Sequence, residues 1–289
     1  MTIKSIVSIN GKLFDREAAK VSVFDRGFLF GDSVYEVTLT HNQKIFLLDD
    51  HLDRLWLSAE KLGIEIEWTR EKFLVEIEKC IQHLGLPRVY IRIVVTRGEG
   101  EIGLDPALGI SNNHVLIVKE LPENPKNWYA QGVHMIVADI QRTSKKAMDP
   151  GVKSGNYLNN VMAIKEAKER GAFDAIMLNY KGHVTEATTS NIYIVKDQKV
   201  LTPPLQAGLL EGITRKTLID LGQRNHLTIH QEDFSAGELR MADEAFLTSS
   251  TKGIVPITKI DETAIGSGKV GPLTTQLSEI YQNFVLSHS

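Results

Sequence analysis

The stretch "PGVKSGNYLNNVMAIKEAKERG", Pro150 to Gly171, poses a question about one side chain. Its second half has an ordinary helical composition and predicts a helix over 155–170. Its first half sets Lys153 among small and amide residues: Gly151, Ser154, Gly155 and Asn156. A lone lysine ahead of a helix is usually a solvated charge. These flanks suit another use, because they leave room for a bulky partner. A lysine that attacks carbonyls must also spend part of its time neutral, and burial enforces that.

Working outward, strands are expected at 133–140 before this helix and at 173–178 after it. A hairpin follows at 184–202, then a helix at 212–224. Strands come next at 227–231, 244–248 and 254–260, with a final helix from about 272. Toward the start, "IKSIVSINGKLF" alternates around Asn10-Gly11, a hairpin signal. "QKIFLL" reads as a strand. Leu52, Leu55, Ala59 and Leu62 recur at helical spacing, behind acids in the first turn. A second helix is expected over 69–85, then strands at "VYIRIVVTR" and "HVLIVKE". Several strands are joined by short turns rather than crossover helices. That pattern predicts an α+β fold with mixed or antiparallel sheets and helices packed outside. "LPENPKNWYAQG", 121–132, has two prolines and little periodicity and reads as a linker. It divides a small N-terminal α/β domain, 1–120, from a larger C-terminal one, 133–289.

The chain has 289 residues, with 33 Lys plus Arg against 36 Asp plus Glu. That balance argues against a nucleic-acid binder. The single cysteine, Cys80, excludes an internal disulfide and falls on the apolar face of the second helix. The opening "MTIKSIVSING" lacks the apolar run of a signal peptide, and no stretch approaches 18 apolar residues. A soluble cytoplasmic protein is the expectation, with no membrane partner.

Several motif matches fail on context. "GEGEIG", Gly98 to Gly103, fits GxGxxG, but no helix start follows and Glu99 and Glu101 would repel a phosphate. "IGSGKVG" lacks the first glycine of a P-loop and the Ser/Thr after Lys269. The nine histidines show no metal-ligand spacing, so no metal is expected. There is no GxSxG elbow.

Other segments supply what a partner of Lys153 would need. Gly212 and Thr214 lie at a helix start, where free backbone N–H groups attract anions. "LTSSTKG", 247–253, offers four hydroxyls at a strand end, although such runs are often plain turns or caps. Arg54 could fork a phosphate, or be a solvated arginine. Glu186 lies in a strand-like "GHVTEA", and a solvated carboxylate is the alternative. Together these parts fit pyridoxal 5′-phosphate, with the lysine on its aldehyde, cations and hydroxyls on its phosphate, and a carboxylate on its ring nitrogen.

The chain resembles the class IV, or fold type IV, pyridoxal-phosphate enzymes. The blocks that carry the resemblance run in family order: "DRGFLFGDSVYEV", "DDHLDRL", "YIRIVVTRGEGEIGLDP", "VKSGNYLNNVMAIKEA", "VTEATTSNIYIV", "GLLEGITR" and "ADEAFLTSSTKGIVPI". The resemblance implies two α/β domains and a homodimer with the active site near the interface. It places the Schiff-base lysine at Lys153, the phosphate-binding arginine at Arg54 and the phosphate-binding turn at Ile213 and Thr214. The ring-nitrogen carboxylate falls on Glu186, a tyrosine near the cofactor on Tyr157 and the ring-packing leucine on Leu210. The resemblance places the hydroxyls that touch phosphate and substrate at Ser250 and Thr251.

Within that family, "YIR", "GLDP" and the length of "IQRTSKKAMDPGVK" resemble branched-chain aminotransferases. "FGDSVYEV", with Val37, resembles D-amino acid aminotransferases. The Arg-x-His pair with which the D-enzymes trap the substrate carboxylate would fall on Ile102 and Leu104. The implied activity is therefore ping-pong transamination between a branched-chain L-amino acid and 2-oxoglutarate. A D-amino acid transaminase is the alternative, with an aminodeoxychorismate lyase behind it. Phe30, Tyr35 and Tyr90 would line an apolar side-chain pocket, and Arg92 would take glutamate's distal carboxylate. A non-enzymatic binding protein would leave Lys153 and the phosphate set without purpose.

Overall fold

The structure is a computed structural model that describes residues 3–288. Residues 1–2 and 289, the outer ends of the two expected domains, lie outside the described residues. The chain forms two compact units. One runs up to Glu123 and includes Val152–Asn156, and the other comprises Asn124–Gly151 and Tyr157–His288.

The first unit holds β1 (Ser5–Ile9), β2 (Lys12–Phe14), α1 (Arg26–Phe30), β3 (Ser33–His41), β4 (Lys44–Ile45), α2 (Leu48–Leu62), α3 (Arg70–Leu84), β5 (Val89–Thr96) and β6 (Asn113–Glu120). Its sheet has the order β2-β1-β6-β5-β3-β4, and every pairing is antiparallel. The β1–β2 turn is the expected one, with Asn10 and Gly11 both at positive φ (50° and 83°). On β5, Ile91, Ile93 and Val95 face inward while Tyr90, Arg92 and Val94 alternate with them. Leu52, Leu55 and Ala59 of α2 and Phe73, Ile77, Cys80 and Ile81 of α3 close over the inner face. Each helix ends on a left-handed glycine, Gly63 or Gly85. Cys80 lies in that core, and burial pushes its thiol up to about 11, so it is an inert packing residue.

Two expectations change here. "QKIFLL" yields only the two residues of β4. Leu47 turns into the left-handed region (φ 48°), and α2 starts at Leu48 with Asp49 and Asp50 in its first turn. Acids there stabilise the positive end of the helix dipole. Strand β3, by contrast, has no signal in the alternation. Its buried run includes Glu36, Thr38 and Thr40, whose polarity hides the inward face. Hydrogen bonds make that burial tolerable: Thr38 Oγ1 donates to the Phe46 carbonyl (2.6 Å) and Thr40 Oγ1 accepts from the Val89 N–H (3.0 Å).

The second unit holds α4 (Lys126–Ala130), β7 (Val133–Val137), α5 (Leu158–Glu169), β8 (Asp174–Leu178), β9 (Val184–Ala187), β10 (Asn191–Lys196), β11 (Lys199–Thr202), α6 (Ile213–Arg224), β12 (Ile229–Gln231), α7 (Ala236–Arg240), β13 (Glu244–Ser249), β14 (Gly253–Ile260), β15 (Thr263–Ala264) and α8 (Pro272–Ser287). Its nine-stranded mixed sheet follows β12-β11-β10-β13-β14-β7-β8-β9, with β15 on β14. Strand β9 returns to β10 through Glu186 and Asn191, so β10-β13-β14-β7-β8-β9 form a closed ring. Strand β10 is buried on both faces. Ile192 and Ile194 join the ring's interior core, while Tyr193 and Val195 meet α6 and α8. That explains its unbroken apolar run "IYIV". Within the expected linker 121–132, residues 126–130 fold as α4, and Trp128 packs edge-on to Phe173 (4.8 Å between centroids).

The "GEGEIG" segment is a loop. Gly98 sits at φ 93°, a methyl there would run into the Ser111 carbonyl oxygen, and Gly100 bridges Gly109. Gly98→Ala is therefore expected to lose at least about 2 kcal/mol of stability, from backbone strain plus the clash. Gly85→Ala, at φ 63° with nothing within 4 Å, should lose only about 1 kcal/mol. Urea denaturation of the two variants checks the order; equal losses would show that the Ser111 contact does not constrain the loop.

Candidate active site

Lys153 sits beside the half of β3 that β4 leaves unpaired. Strand β4 pairs only Thr40 and His41 of β3, which leaves the start of that strand without a partner on one side. The segment around Lys153 fills the gap. Ser154 bridges Val34, the Tyr35 N–H donates to the Lys153 carbonyl (2.9 Å) and the Gly155 N–H donates to the Ser33 carbonyl (2.8 Å). The Lys153 N–H reaches Ser58 Oγ on α2 (3.2 Å). Lys153 is thus fixed at its backbone, half-buried, with its Nζ 4.5 Å from the centroid of the Tyr35 ring. The Arg92 guanidinium lies 3.9 Å from the same centroid. Tyr35, Lys153 and Arg92 therefore form one group.

Arg54 faces the other side of β3. Its Nε and a terminal nitrogen donate to the two carboxylate oxygens of Glu36 (2.6 and 2.8 Å), and His51 Nδ1 lies 2.7 Å from Glu36 Oε2. Full burial would raise the Glu36 pKa, but the charge and hydrogen bonds of Arg54 and the bond from His51 outweigh it and hold the carboxyl well below the usual range. Burial lowers the pKa of His51, helped by the charges of Arg54 and Lys153 and opposed by Glu36. A neutral imidazole that donates its Nδ1–H to Glu36 satisfies both groups. The fork on Glu36 fixes the guanidinium plane of Arg54.

Tyr90 and Arg92 line a cavity of about 690 Å³ on the outer face of the first sheet, with Val115, Ile117 and Lys119. Lys119 Nζ sits over the Tyr90 ring (5.1 Å). Phe30 is not among the lining residues; it ends α1, half-exposed, with Arg26 over its ring (5.1 Å).

In the second unit, Glu186 is buried on β9. Arg142 Nε donates to its Oε1 (2.8 Å) and the Leu210 N–H donates to its Oε2 (3.1 Å). Asn191 Nδ2 donates to the Leu210 carbonyl (2.9 Å), so Glu186 and Leu210 are locked together. Arg142 also reaches Asn159 and Asn160. Tyr157 caps the start of α5 without a side-chain capping bond. Ile213 and Thr214 open α6 behind Gly212, whose cap has no side-chain hydrogen bond. Those first-turn N–H groups are the positive end of a helix dipole. Gly212 is required there because a methyl would run into Asn191 Oδ1. Ser250 and Thr251 form the turn between β13 and β14.

The sequence reading did not single out Glu36, His51, Arg142 or Asn191. Glu36 and His51 stand inside quoted blocks, but nothing in a lone sequence tells a buried partner from a solvated charge. Arg142 pairs with Glu186 across 44 positions, and such contacts leave no local signal.

Known proteins share this sequence pattern and this fold. The pattern of the amino-transferase class IV family matches residues 33–260. A putative branched-chain-amino-acid aminotransferase of Methanocaldococcus jannaschii is 36% identical over 277 residues, 96% of this chain and 95% of that protein. A D-alanine aminotransferase of Bacillus licheniformis is 34% identical, covering 98% of each chain. A crystal structure of the T.th. branched-chain amino acid aminotransferase with pyridoxamine 5′-phosphate superposes with a TM-score of 0.94, at 27% identity, over 100% of this chain and 96% of that one.

Glu36→Gln should cost about 3 kcal/mol or more, because it leaves the Arg54 charge without its buried counter-ion. It should also change the acid limb of stability. A carboxyl depressed from 4.5 contributes stability that is complete above that pH and lost as pH falls below it. His51, depressed from 6.5, adds a loss of the same sign that begins near 6.5. Urea midpoints from pH 8 to pH 3 should therefore fall less steeply below about 4.5 in the variant. Parallel curves would contradict the ion pair.

Proposed function

The chain belongs to the class IV aminotransferases, pyridoxal-phosphate-dependent transaminases of amino acids and 2-oxo acids, and from this premise we propose that its donors are branched-chain L-amino acids and its acceptor 2-oxoglutarate. When bound, the cofactor supplies an aldehyde that bonds to amines and a ring that accepts electron density from the substrate's α-carbon. The residues suit that group. The uncapped first turn of α6 and the oriented guanidinium of Arg54 match a phosphate dianion. Glu186, aimed by Arg142 and the Leu210 N–H, matches a protonated ring nitrogen, and Leu210 and Tyr157 would supply the surfaces that hold the ring. Lys153 would provide the amine that holds the aldehyde, and its Nζ would serve as the general base toward the substrate's α-carbon proton.

The observation that carries the choice of donor is the loop after β5. Ile102 and Leu104, where the D-enzymes place a cationic trap, are apolar and 70% and 82% exposed. Neither side chain has a donor, so a carboxylate there would gain no partner. Arg26, a cation in contact with this loop, is committed to the carbonyls of Gly103 (2.8 Å) and Leu104 (3.3 Å) and to Asp32 (3.2 Å), and Arg97, on the loop itself, to Asp32 (2.7 Å) and the carbonyls of Gly63 and Leu62 (2.7 and 2.8 Å). The Ser250–Thr251 turn is the other place for the α-carboxylate. Phe30, Tyr35 and Tyr90 then receive an aliphatic side chain, and Arg92 receives the distal carboxylate of glutamate. Use of D-amino acids is the second reading. The Bacillus licheniformis relative favours it, as does Val37, the D-like residue, which pairs directly with Arg92 across β3 and β5.

Mixing holoenzyme with single amino acids and following cofactor absorbance tests the choice. L-leucine, L-isoleucine or L-valine should react faster than D-alanine. Arg92→Leu should lose roughly 10- to 100-fold with L-glutamate and little with L-leucine, the scale of one charge-assisted hydrogen bond. A faster half-reaction with D-alanine or D-glutamate would reverse the assigned hand.

A further inference from the structure

The turn between β13 and β14 has its carbonyls held from the segment that the sequence presents as a linker. Asn124 Nδ2 donates to the Thr251 carbonyl (3.0 Å) and to the Tyr129 hydroxyl (2.9 Å). The Tyr129 hydroxyl donates in turn to the Lys252 carbonyl (2.8 Å). From its other end, Lys252 Nζ donates to Thr189 Oγ1 (3.1 Å). Two consecutive peptide planes of a tight turn are thus fixed by one side-chain pair.

The pair is itself built to be rigid. Pro125 confines Asn124 to extended backbone and opens α4. Tyr129 sits on that helix next to Trp128, which is anchored on Phe173. Both side chains are half-buried, where a hydrogen-bond partner matters more than on the open surface.

The Lys252 N–H donates to the Ser249 carbonyl (3.3 Å), so the turn is closed across Ser250 and Thr251 while its far side is held by Asn124 and Tyr129. The Cα of Thr251, from which its hydroxyl and N–H project, is then held in place before substrate arrives, which lowers the ordering cost of binding. Resting on the reading that this turn receives the α-carboxylate, we infer that Asn124 and Tyr129 are positioning residues for substrate carboxylate recognition.

The test compares holoenzyme with Tyr129→Phe and Asn124→Ala, using L-leucine and 3-methylbutylamine, which has the same carbon chain without the carboxylate. Each variant should raise KM for L-leucine about 3- to 10-fold, the scale of one neutral hydrogen bond, with kcat at saturation changed less than twofold. The half-reaction with the amine should stay within twofold of wild type. The double variant should be less than multiplicative, because each side chain works through the other. Unchanged KM, or equal losses with amine and amino acid, would overturn the inference. Ser250→Ala with Thr251→Ala separates the two levels. If that variant raises the KM for L-leucine and Tyr129→Phe does not, only the clamp is wrong. If neither does, the carboxylate turn falls and the clamp with it.

Discussion

The functional reading depends on one short piece of backbone pairing. Residues 152–156 dock on the open half of β3 through the Tyr35 and Gly155 N–H groups. Without that pairing Lys153 would be a lysine on a loop, free to sample its rotamers. With it, the amine is delivered to the ring of Tyr35 at a defined distance. The glycine-rich composition around Lys153 has a second meaning here. Small residues let the segment approach a strand, and they keep space open beside the amine.

The same device appears twice around the candidate residues: a buried carboxylate is paired with an arginine and also takes a hydrogen bond from a third group. Glu36 carries Arg54 and His51; Glu186 carries Arg142 and the Leu210 N–H. A buried ion pair is a poor source of net stability, because desolvation offsets most of the attraction. Its value lies in direction. In the first case it orients a cation suited to a phosphate, and in the second it orients an anion suited to a ring nitrogen. Preorganised charge of this kind needs no rearrangement when the reaction begins.

How much of this was legible in advance depended on whether the signal was local. The helices α2 and α3 followed from apolar spacing, because one face of each packs on a sheet. The Asn10-Gly11 hairpin followed from turn chemistry. Strand β3 did not, because its inward positions carry Glu36 and Thr residues whose partners lie on α2, on loops and at the start of β5. The site shows the same division. Lys153 stood out from its neighbours alone, and the residues assigned through family resemblance came as a set of motifs in order. The groups that orient them, His51, Arg142, Asn124 and Tyr129, are polar residues in ordinary contexts. Their significance is a contact distant in sequence, such as the one that joins Tyr129 to Lys252.

The central claim is that Lys153 carries the cofactor, and trapping that bond tests it most directly. Reducing the resting holoenzyme with borohydride turns the covalent link into a stable secondary amine, and peptide mass spectrometry then locates the added cofactor mass. The account predicts that mass on the Lys153 side chain and on no other lysine, with none recovered from Lys153→Ala. A modified lysine elsewhere in the wild-type chain, or an unmodified Lys153 in coloured, fully active enzyme, would contradict it.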